Sequence, residues 1–469
     1  MIYSTISFQR GVRRAGQSLV KDSEVFKINI PQNEDVTRKV GICTLGCKVN
    51  QYESQAIAEE FERNGFTVGR FSEKCGIYVI NTCAVTVEAE RKARQMIRRA
   101  ARHNPKAFVL VTGCYAQLCT AKTAAIDRVD FVCGNSNKLK VVDAALGLLA
   151  SGAKNGAADV KVEPIRNASL EHMSITRSER TRAYVKIEDG CDNHCAYCTV
   201  PMARGPVRSR PIQEITDEIK TLAGNGYIEV ILTGIDTSSY GKEITPDLRL
   251  PELVNAVSGI DGIERVRLGS LDPSTLNKSF VDRISTAVHL CPSFHIALQS
   301  GSSSVLARMR RKYNAATVSA NLAYIREKIP GVTFSADVIV GFPGETEEEF
   351  NETVEFVKKE KFLHLHVFPY SKRPGTPAAE MEDQIPEEVK AERVAELEKV
   401  GAAIVYDMAG DYIGRQTEVL FESCDSGKAV GHTPEFLEVS VITHDDLHGA
   451  VRTVKLNGFD GKDFTGFIV

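Results

Sequence analysis

From Val40 onward the chain repeats one pattern: a short apolar run, a turn, then an amphipathic helix. The runs VGICT, IYVIN, FVLVT and DFVCG alternate with helical stretches such as YESQAIAEEFERNG and VEAERKARQMIRRAARH. Short strands that alternate with helices return by right-handed crossovers to a parallel sheet, so an α/β domain is predicted here. A second series starts at Ala183. Its strands read AYVKIE, IEVILT, RVRLG, FHIALQ, FSADVIV and LHLHVF, with helices expected near 212–224, 251–258, 304–311, 318–328, 346–359 and 386–408. Six such units predict a (β/α) partial barrel. After Gly410 come short strands broken by Gly, Asp and Ser, namely TEVLF, FLEVSV, VRTVKLNGF and FTGFIV, which suit a small antiparallel β-barrel. The expected organisation is an N-terminal extension (1–38), a parallel α/β domain (39–150), a linker rich in Gly, Ala and Ser (151–178), a central barrel (179–408) and a C-terminal barrel (409–469).

Charge and cysteine content narrow the chemistry. Lys and Arg total 58 against 61 Asp and Glu, so an evenly basic coat is excluded while a local basic face is not. No apolar run approaches the ~20 residues of a membrane span. The first twenty residues carry Arg10, Arg13 and Arg14 without an acid, but lack the apolar core of a secretory leader and the spacing of a transit peptide. A cytoplasmic location and no membrane partner are expected. Twelve cysteines scattered over a long chain do not form a disulfide framework, and clustered thiols in a reducing compartment bind metals or do redox chemistry.

CDNHCAYC places Cys191, Cys195 and Cys198 within eight residues, just beyond the first barrel strand. Strand C-termini face the active site in such barrels. Soft thiolates favour iron–sulfur clusters, zinc or copper(I), and a structural zinc wants a fourth ligand, for which His194 is the near candidate. Three thiolates would leave one iron of a four-iron cluster open. This motif resembles the signature of the radical S-adenosylmethionine (SAM) superfamily, and Tyr197 before the last cysteine fits it. The resemblance implies that the open iron chelates SAM and that one electron cleaves it to a 5′-deoxyadenosyl radical. It also makes Thr233 and Gly234 of LTG, Gln299 of LQSGS, Asp337, and Gly341, Pro343 and Gly344 of GFPG candidates for SAM contact. From the residues alone, the glycine turns also fit plain βα loops, and Gln299 and Asp337 fit either a ligand or the ordering of the barrel mouth.

A second triad is spread along the first domain: Cys47 in TLGCKVNQ, Cys83 in NTCAVT and Cys114 in TGCYAQ. Each follows a strand by a few residues, and loops beyond strand C-termini form the ligand crevice of an open α/β sheet. The three therefore converge in the predicted fold, although core packing is the competing reading. Cys43, Cys75, Cys119, Cys133, Cys291 and Cys424 lack such company and read as packing residues.

Together these motifs, with GFPGET and YSKRPGTPAA, resemble the radical SAM methylthiotransferases over about residues 39–469. That family has an N-terminal cluster domain, a radical SAM barrel and a C-terminal TRAM β-barrel. The resemblance implies two [4Fe-4S] clusters, an auxiliary one on Cys47, Cys83 and Cys114 and the SAM-binding one on Cys191, Cys195 and Cys198. It implies two SAM molecules per turnover and no catalytic residue beyond the cluster ligands. LGCKVNQYES resembles the MtaB branch, which methylthiolates carbon-2 of N6-threonylcarbamoyladenosine 37 in transfer RNA. The branches acting on isopentenyladenosine 37 or on a ribosomal-protein aspartate carry other residues after the cysteine. Asp236 and Ser303 depart from the family pattern and receive no role.

Implied partners are the tRNA anticodon loop, an electron donor such as flavodoxin or ferredoxin, and a sulfur donor. RNA binding needs cations near phosphates. Arg91, Arg94, Arg98 and Arg102 share one face of a helix. Arg204, Arg208 and Arg210 follow the first triad, where RNA and SAM are both fitting partners; Arg208 is retained as an RNA candidate. Residues 411–469 have five basic residues against ten acids, a poor balance for RNA. Two other readings compete: a radical SAM enzyme whose second cluster only relays electrons, and a non-catalytic, metal-stabilised RNA-binding protein.

Overall fold

The computed structural model describes residues 36–152, 156–245 and 247–469. The expected N-terminal extension lies outside them, apart from a short 3-10 turn at Val36–Arg38.

Six parallel strands form the N-terminal sheet in the order Thr67–Gly69, Lys39–Thr44, Ile77–Thr82, Phe108–Gly113, Phe131–Cys133, Asp159–Lys161. The two central strands, Ile77–Thr82 and Phe108–Gly113, are buried at every position, which explains their unbroken apolar runs. The outermost strand, Asp159–Lys161, lies in the stretch expected to be a linker. Its residues are exposed and only Val160 is apolar, so its place on the sheet edge carries little hydrophobic signal. Further along the same stretch, Met173 and Ile175 are buried in the barrel core.

The central domain is an open arc of parallel strands. Ala183–Lys186, Glu229–Thr233 and Arg265–Leu268 form one sheet. A single bridge, Val266 to Leu290, joins it to Ser293–Gln299, Thr333–Val340 and His364–Pro369. The six expected strands and helices are present, and a helix at Lys278–Ile284 adds to them. Strand Ser293–Gln299 alternates strictly: Phe294, Ile296 and Leu298 are buried among the outer helices, so His295, Ala297 and Gln299 face the interior.

The five C-terminal strands close into a barrel. It docks on the N-terminal ends of the central strands, opposite the cysteine loops. Arg265 donates to the His432 carbonyl (3.1 Å) and Arg267 to that of Pro434 (3.0 Å), while Arg182 pairs with Glu422 (2.8 Å). Phe436 adopts a left-handed backbone (φ 71°), rare for a bulky side chain. Its ring stacks on His432 at 4.5 Å and lies under the Arg182 and Arg267 guanidinium groups at 5.1 and 4.8 Å. Part of this barrel's acidic surplus thus serves docking.

Candidate active site between two cysteine triads

Parallel pairing brings Cys47, Cys83 and Cys114 to one sheet edge. Thr44 pairs with Asn81, and Thr82 with Gly113, so the strand ends that precede Cys47, Cys83 and Cys114 lie side by side. Cys47 caps the Lys48–Arg63 helix, Cys83 follows its strand directly, and Cys114 opens a short helix. The glycines in TLGC and TGC are steric requirements. A Cβ on Gly46 (φ +103°) would sit 2.8 Å from the Cys83 Cβ, and one on Gly113 (φ +99°) would sit 2.4 Å from the Thr82 carbonyl oxygen. Asn50 ties two of the loops together, donating to the carbonyls of Leu45 (2.6 Å) and Thr82 (3.1 Å). Burial pushes the Cys83 thiol up to about 12, and Cys114 and Cys47 act in the same direction.

Cys191, Cys195 and Cys198 lie on the loop after Ala183–Lys186. Backbone N–H groups of Asn193 and Val200 donate to the sulfurs of Cys191 and Cys198, each at 3.4 Å. Arg311 donates to Cys195 Sγ at 2.8 Å and is itself held by Asp272 at 2.6 Å. Tyr197 packs against a small cluster that includes Phe342 and Tyr370. Asp236, given no role above, lies 3.7 Å from Cys191 Sγ and accepts from Asn193 and Ser239.

The two triads are neighbours. The Cys114–Leu118 helix packs on Val200–Arg204, with Cys114, Tyr115 and Ala203 in one buried cluster. Asn135 donates to both Cys114 Sγ (3.5 Å) and the Ala203 carbonyl (2.8 Å). Arg204, 1% exposed, bridges the domains by donating to Asn50, to Glu53 and to Asp189. Lys138 and Lys186 also pair with Glu53. Arg210 is buried against Glu218 (2.6 Å), and Arg208 donates to the carbonyls of Arg204, Ala168 and Ser169. These donors are engaged within the protein: Arg204 bridges the two domains, Arg210 also reaches Tyr52 Oη (3.1 Å), and half-buried Arg208 holds carbonyls of its own loop and of the 151–178 stretch.

The other predicted site residues lie on, at or just beyond the C-terminal halves of the central strands. Gln299 ends its strand at a register shift with a left-handed backbone (φ 67°), an observed strain at the barrel mouth. Thr233 and Gly234 end the second strand, with Gly234 packed on Glu188. The Gly341–Gly344 turn, which includes Pro343, is fixed where Arg308 donates to the Gly344 carbonyl and Arg393 pairs with Glu345. Asp337 is not free: its carboxylate lies 3.0 Å from His295 Nε2, and the other ring nitrogen of His295 meets Ser335 Oγ at 2.8 Å. Donor atoms of His295, Asp337 and His366, one from each, lie within 4.8 Å of one another. The soft three-thiolate donor sets of both triads suit iron–sulfur clusters. His295 and His366 were legible as polar residues at alternating positions in FHIALQ and LHLHVF, but were not singled out. Lys48, beside Cys47, is half-buried. Burial lowers its ammonium to about 8, and the cations Arg182, Arg267 and Arg180 act in the same direction while Asp337 opposes them.

Outside, Arg91, Arg98 and Arg102 are exposed on the Val87–His103 helix, with Arg91 paired to Glu88. Arg94 lies over the ring of Tyr115, the neighbour of Cys114, at 5.9 Å. They line an open groove with Lys122 and Arg128.

Two family models match this arrangement: the radical SAM superfamily over residues 185–357 and the family described as UPF0004, of uncharacterised role, over 39–134. Threonylcarbamoyladenosine tRNA methylthiotransferase MtaB of Bacillus subtilis (strain 168) is 39% identical over 425 residues, covering 89% of this chain and 93% of that protein. The chain belongs to the radical SAM methylthiotransferases. The MtaB of Thermotoga maritima is 37% identical over 82% of this chain and 87% of its own length. A tRNA-2-methylthio-N(6)-dimethylallyladenosine synthase of Clostridium botulinum (strain Okra / Type B1) is 34% identical over 90% of this chain and 95% of its own. Among solved structures, the radical SAM methyltransferase TsrM of Kitasatospora setae shares the fold at a TM-score of 0.52 and 15% identity, over 73% of this chain and 75% of that one. This methylthiotransferase is an enzyme of SAM and [4Fe-4S] chemistry. Among the described residues, no helix is long and apolar enough to cross a membrane.

Proposed function

We propose that this methylthiotransferase adds a methylthio group to carbon-2 of N6-threonylcarbamoyladenosine 37 in the anticodon loop of transfer RNA. The carrying observation is its 39% identity to a relative named for that substrate, over 93% of that relative's length. Cys191, Cys195 and Cys198 hold the cluster that binds SAM, and Cys47, Cys83 and Cys114 hold the auxiliary cluster. Bound there, clusters and SAM supply the one-electron chemistry that replaces an unactivated aromatic C–H with C–SCH₃, which acid–base groups do not. The chain's own residues arrange and insulate this chemistry. N–H groups of Asn193 and Val200, the Arg311 guanidinium and the Asn135 amide offset negative charge on the sulfurs. Tyr197, Thr233, Gly234, Gln299 and the Gly341–Gly344 turn form the SAM wall. Asp337, committed to His295, faces the barrel interior beyond it.

Loop nucleotides can be splayed out of the stack, so the base enters the barrel while Arg91, Arg94, Arg98 and Arg102 meet the RNA backbone. A flavodoxin or ferredoxin as reductant, a separate sulfur donor and a cytoplasmic setting complete the reading. The test is mass spectrometry of tRNA nucleosides from cells lacking the gene and cells with it restored. Loss and return of 2-methylthio-threonylcarbamoyladenosine is expected, with Cys191→Ala and Cys47→Ala each failing to restore it. Loss of the methylthio-dimethylallyl nucleoside instead would move the enzyme to the other tRNA branch.

A further inference from the structure

Three neighbouring barrel strands turn polar side chains to the interior. In Ser293–Gln299, Thr333–Val340 and His364–Pro369 the parallel register sets His295 opposite Ser335 and Asp337 opposite His366. Phe294, Ile296, Ala336 and Val338 are buried in the outer core, and Leu365 and Val367 pack against it. Side chains alternate along a strand, so His295, Ser335, Asp337 and His366 share the opposite face.

Three ionisable groups converge there. His295 Nε2 lies 3.0 Å from a carboxylate oxygen of Asp337, and the His295 and His366 rings meet edge-on with centroids 5.4 Å apart. One donor atom from each residue lies within 4.8 Å of the other two. All three side chains stay at least partly open, which leaves an ion a way in.

A hydrogen bond between His295 and Asp337 accounts for two of these residues but not for the third. Among the described residues, no protein group hydrogen-bonds the His366 imidazole, although its donor atom faces the other two. Behind His295, Nδ1 meets Ser335 Oγ at 2.8 Å. A partner on the far ring nitrogen is what orients a metal-ligating imidazole and fixes its tautomer. The proton balance closes within the group. Without an ion, the proton on Nε2 bonds to Asp337. When an ion takes the Nε2 lone pair, the imidazole carries its one proton on Nδ1 instead, where the serine hydroxyl accepts it.

We propose that His295, Asp337 and His366 bind a divalent first-row metal ion, separate from both cysteine triads. Two imidazoles and one carboxylate suit Fe²⁺, Mn²⁺ or Zn²⁺ and lack the thiolates that select an iron–sulfur cluster. Three protein ligands leave the remaining positions open to the barrel interior, as in catalytic rather than structural sites. Water or an oxygen donor of a bound substrate completes the shell. The site does not depend on which nucleoside the enzyme modifies.

Mn²⁺ is the probe, because it favours oxygen and imidazole donors over thiolates and so leaves the clusters in place. Cluster-reconstituted enzyme, kept oxidised so that its clusters are diamagnetic, is titrated with Mn²⁺, and the free ion is read by electron paramagnetic resonance. The wild type is expected to take up about one Mn²⁺ per chain at a saturable site, from which Zn²⁺ displaces it. His366→Phe and Asp337→Asn should bind at least about ten-fold more weakly, and Ser335→Ala, which keeps every ligand, about ten-fold more weakly. Iron content and circular dichroism confirm that each variant is loaded and folded. A wild type without a saturable site overturns the proposal. So does uptake unchanged in His366→Phe and Asp337→Asn, which would place the ion elsewhere. Where a ligand variant loses iron or fold, Ser335→Ala decides in its place, and unchanged affinity there overturns the proposal.

Discussion

Arg204 meets Glu53 across the boundary between the two cysteine domains, with Nη1 3.0 Å from one carboxylate oxygen and Nη2 3.1 Å from the other. The pair is fully buried and 151 residues apart in sequence. Arg204 also holds Asn50, whose amide holds the Leu45 and Thr82 carbonyls just before Cys47 and Cys83. The loop of one triad is thereby registered against the other.

Removing this arginine should loosen that register. Arg204→Met leaves Glu53 with its two lysines, and Asp189 with Lys186 and the Gly190 N–H. Breaking a buried pair by deleting one partner costs about 3–5 kcal/mol. Urea denaturation should show a loss of that order. Electron paramagnetic resonance should show a changed magnetic interaction between the reduced clusters, whereas an unchanged spectrum would argue that the arginine serves stability alone.

The same network predicts acid sensitivity. Burial alone would raise the Glu53 carboxyl, but Arg204, Lys138 and Lys186 outweigh it and hold it well below its ordinary value of 4.5. A carboxyl lowered in the folded state contributes stability above its unfolded pKa and loses it as pH falls below that value. Thermal unfolding midpoints should therefore be flat from neutrality to about pH 5 and drop below it. Glu53→Gln should be less stable at pH 7 and show a shallower drop.

Alanine at Gly46 or Gly113 places a Cβ against Cys83 or Thr82 in a backbone conformation unfavourable to L-residues. Such strain costs on the order of 1–3 kcal/mol and displaces an auxiliary-triad loop. Gly46→Ala should retain the charge-transfer absorbance of one cluster and lose roughly half the iron of a two-cluster enzyme. SAM cleavage without methylthiolation is the expected activity. Full iron content would show that the loop can shift without loss.

Arg98 and Arg102 are exposed on the helix beside Tyr115 and Cys114. Replacing both with alanine should weaken tRNA binding and reduce the slope of log affinity against log salt by about two. Cleavage of SAM without RNA should persist, because neither side chain approaches the radical SAM loop. An unchanged salt slope would remove this groove from the RNA path.

The chain's periodicity carried most of the fold into view. Strand and helix patterns depend on neighbours two to four residues apart, so VGICT through FTGFIV and the six barrel units are readable along the sequence. Both cysteine triads were legible for a related reason: each cysteine follows a strand, and parallel strands put such positions on one edge. Other features depended on partners far away in sequence. Asp159–Lys161 is a strand only because Phe131–Cys133 offers it an edge. Arg204, Arg208 and Arg210 look like a basic patch in sequence, yet become interior struts once Glu53, Glu218 and the Ala168 carbonyl are brought to them. His295, Asp337 and His366 come from three separate strands and meet only when those strands pair. Local backbone preference and hydrophobic alternation are written residue by residue. Charge pairing across a domain boundary is decided by packing, because electrostatic strength depends on burial and distance, which a linear chain does not display.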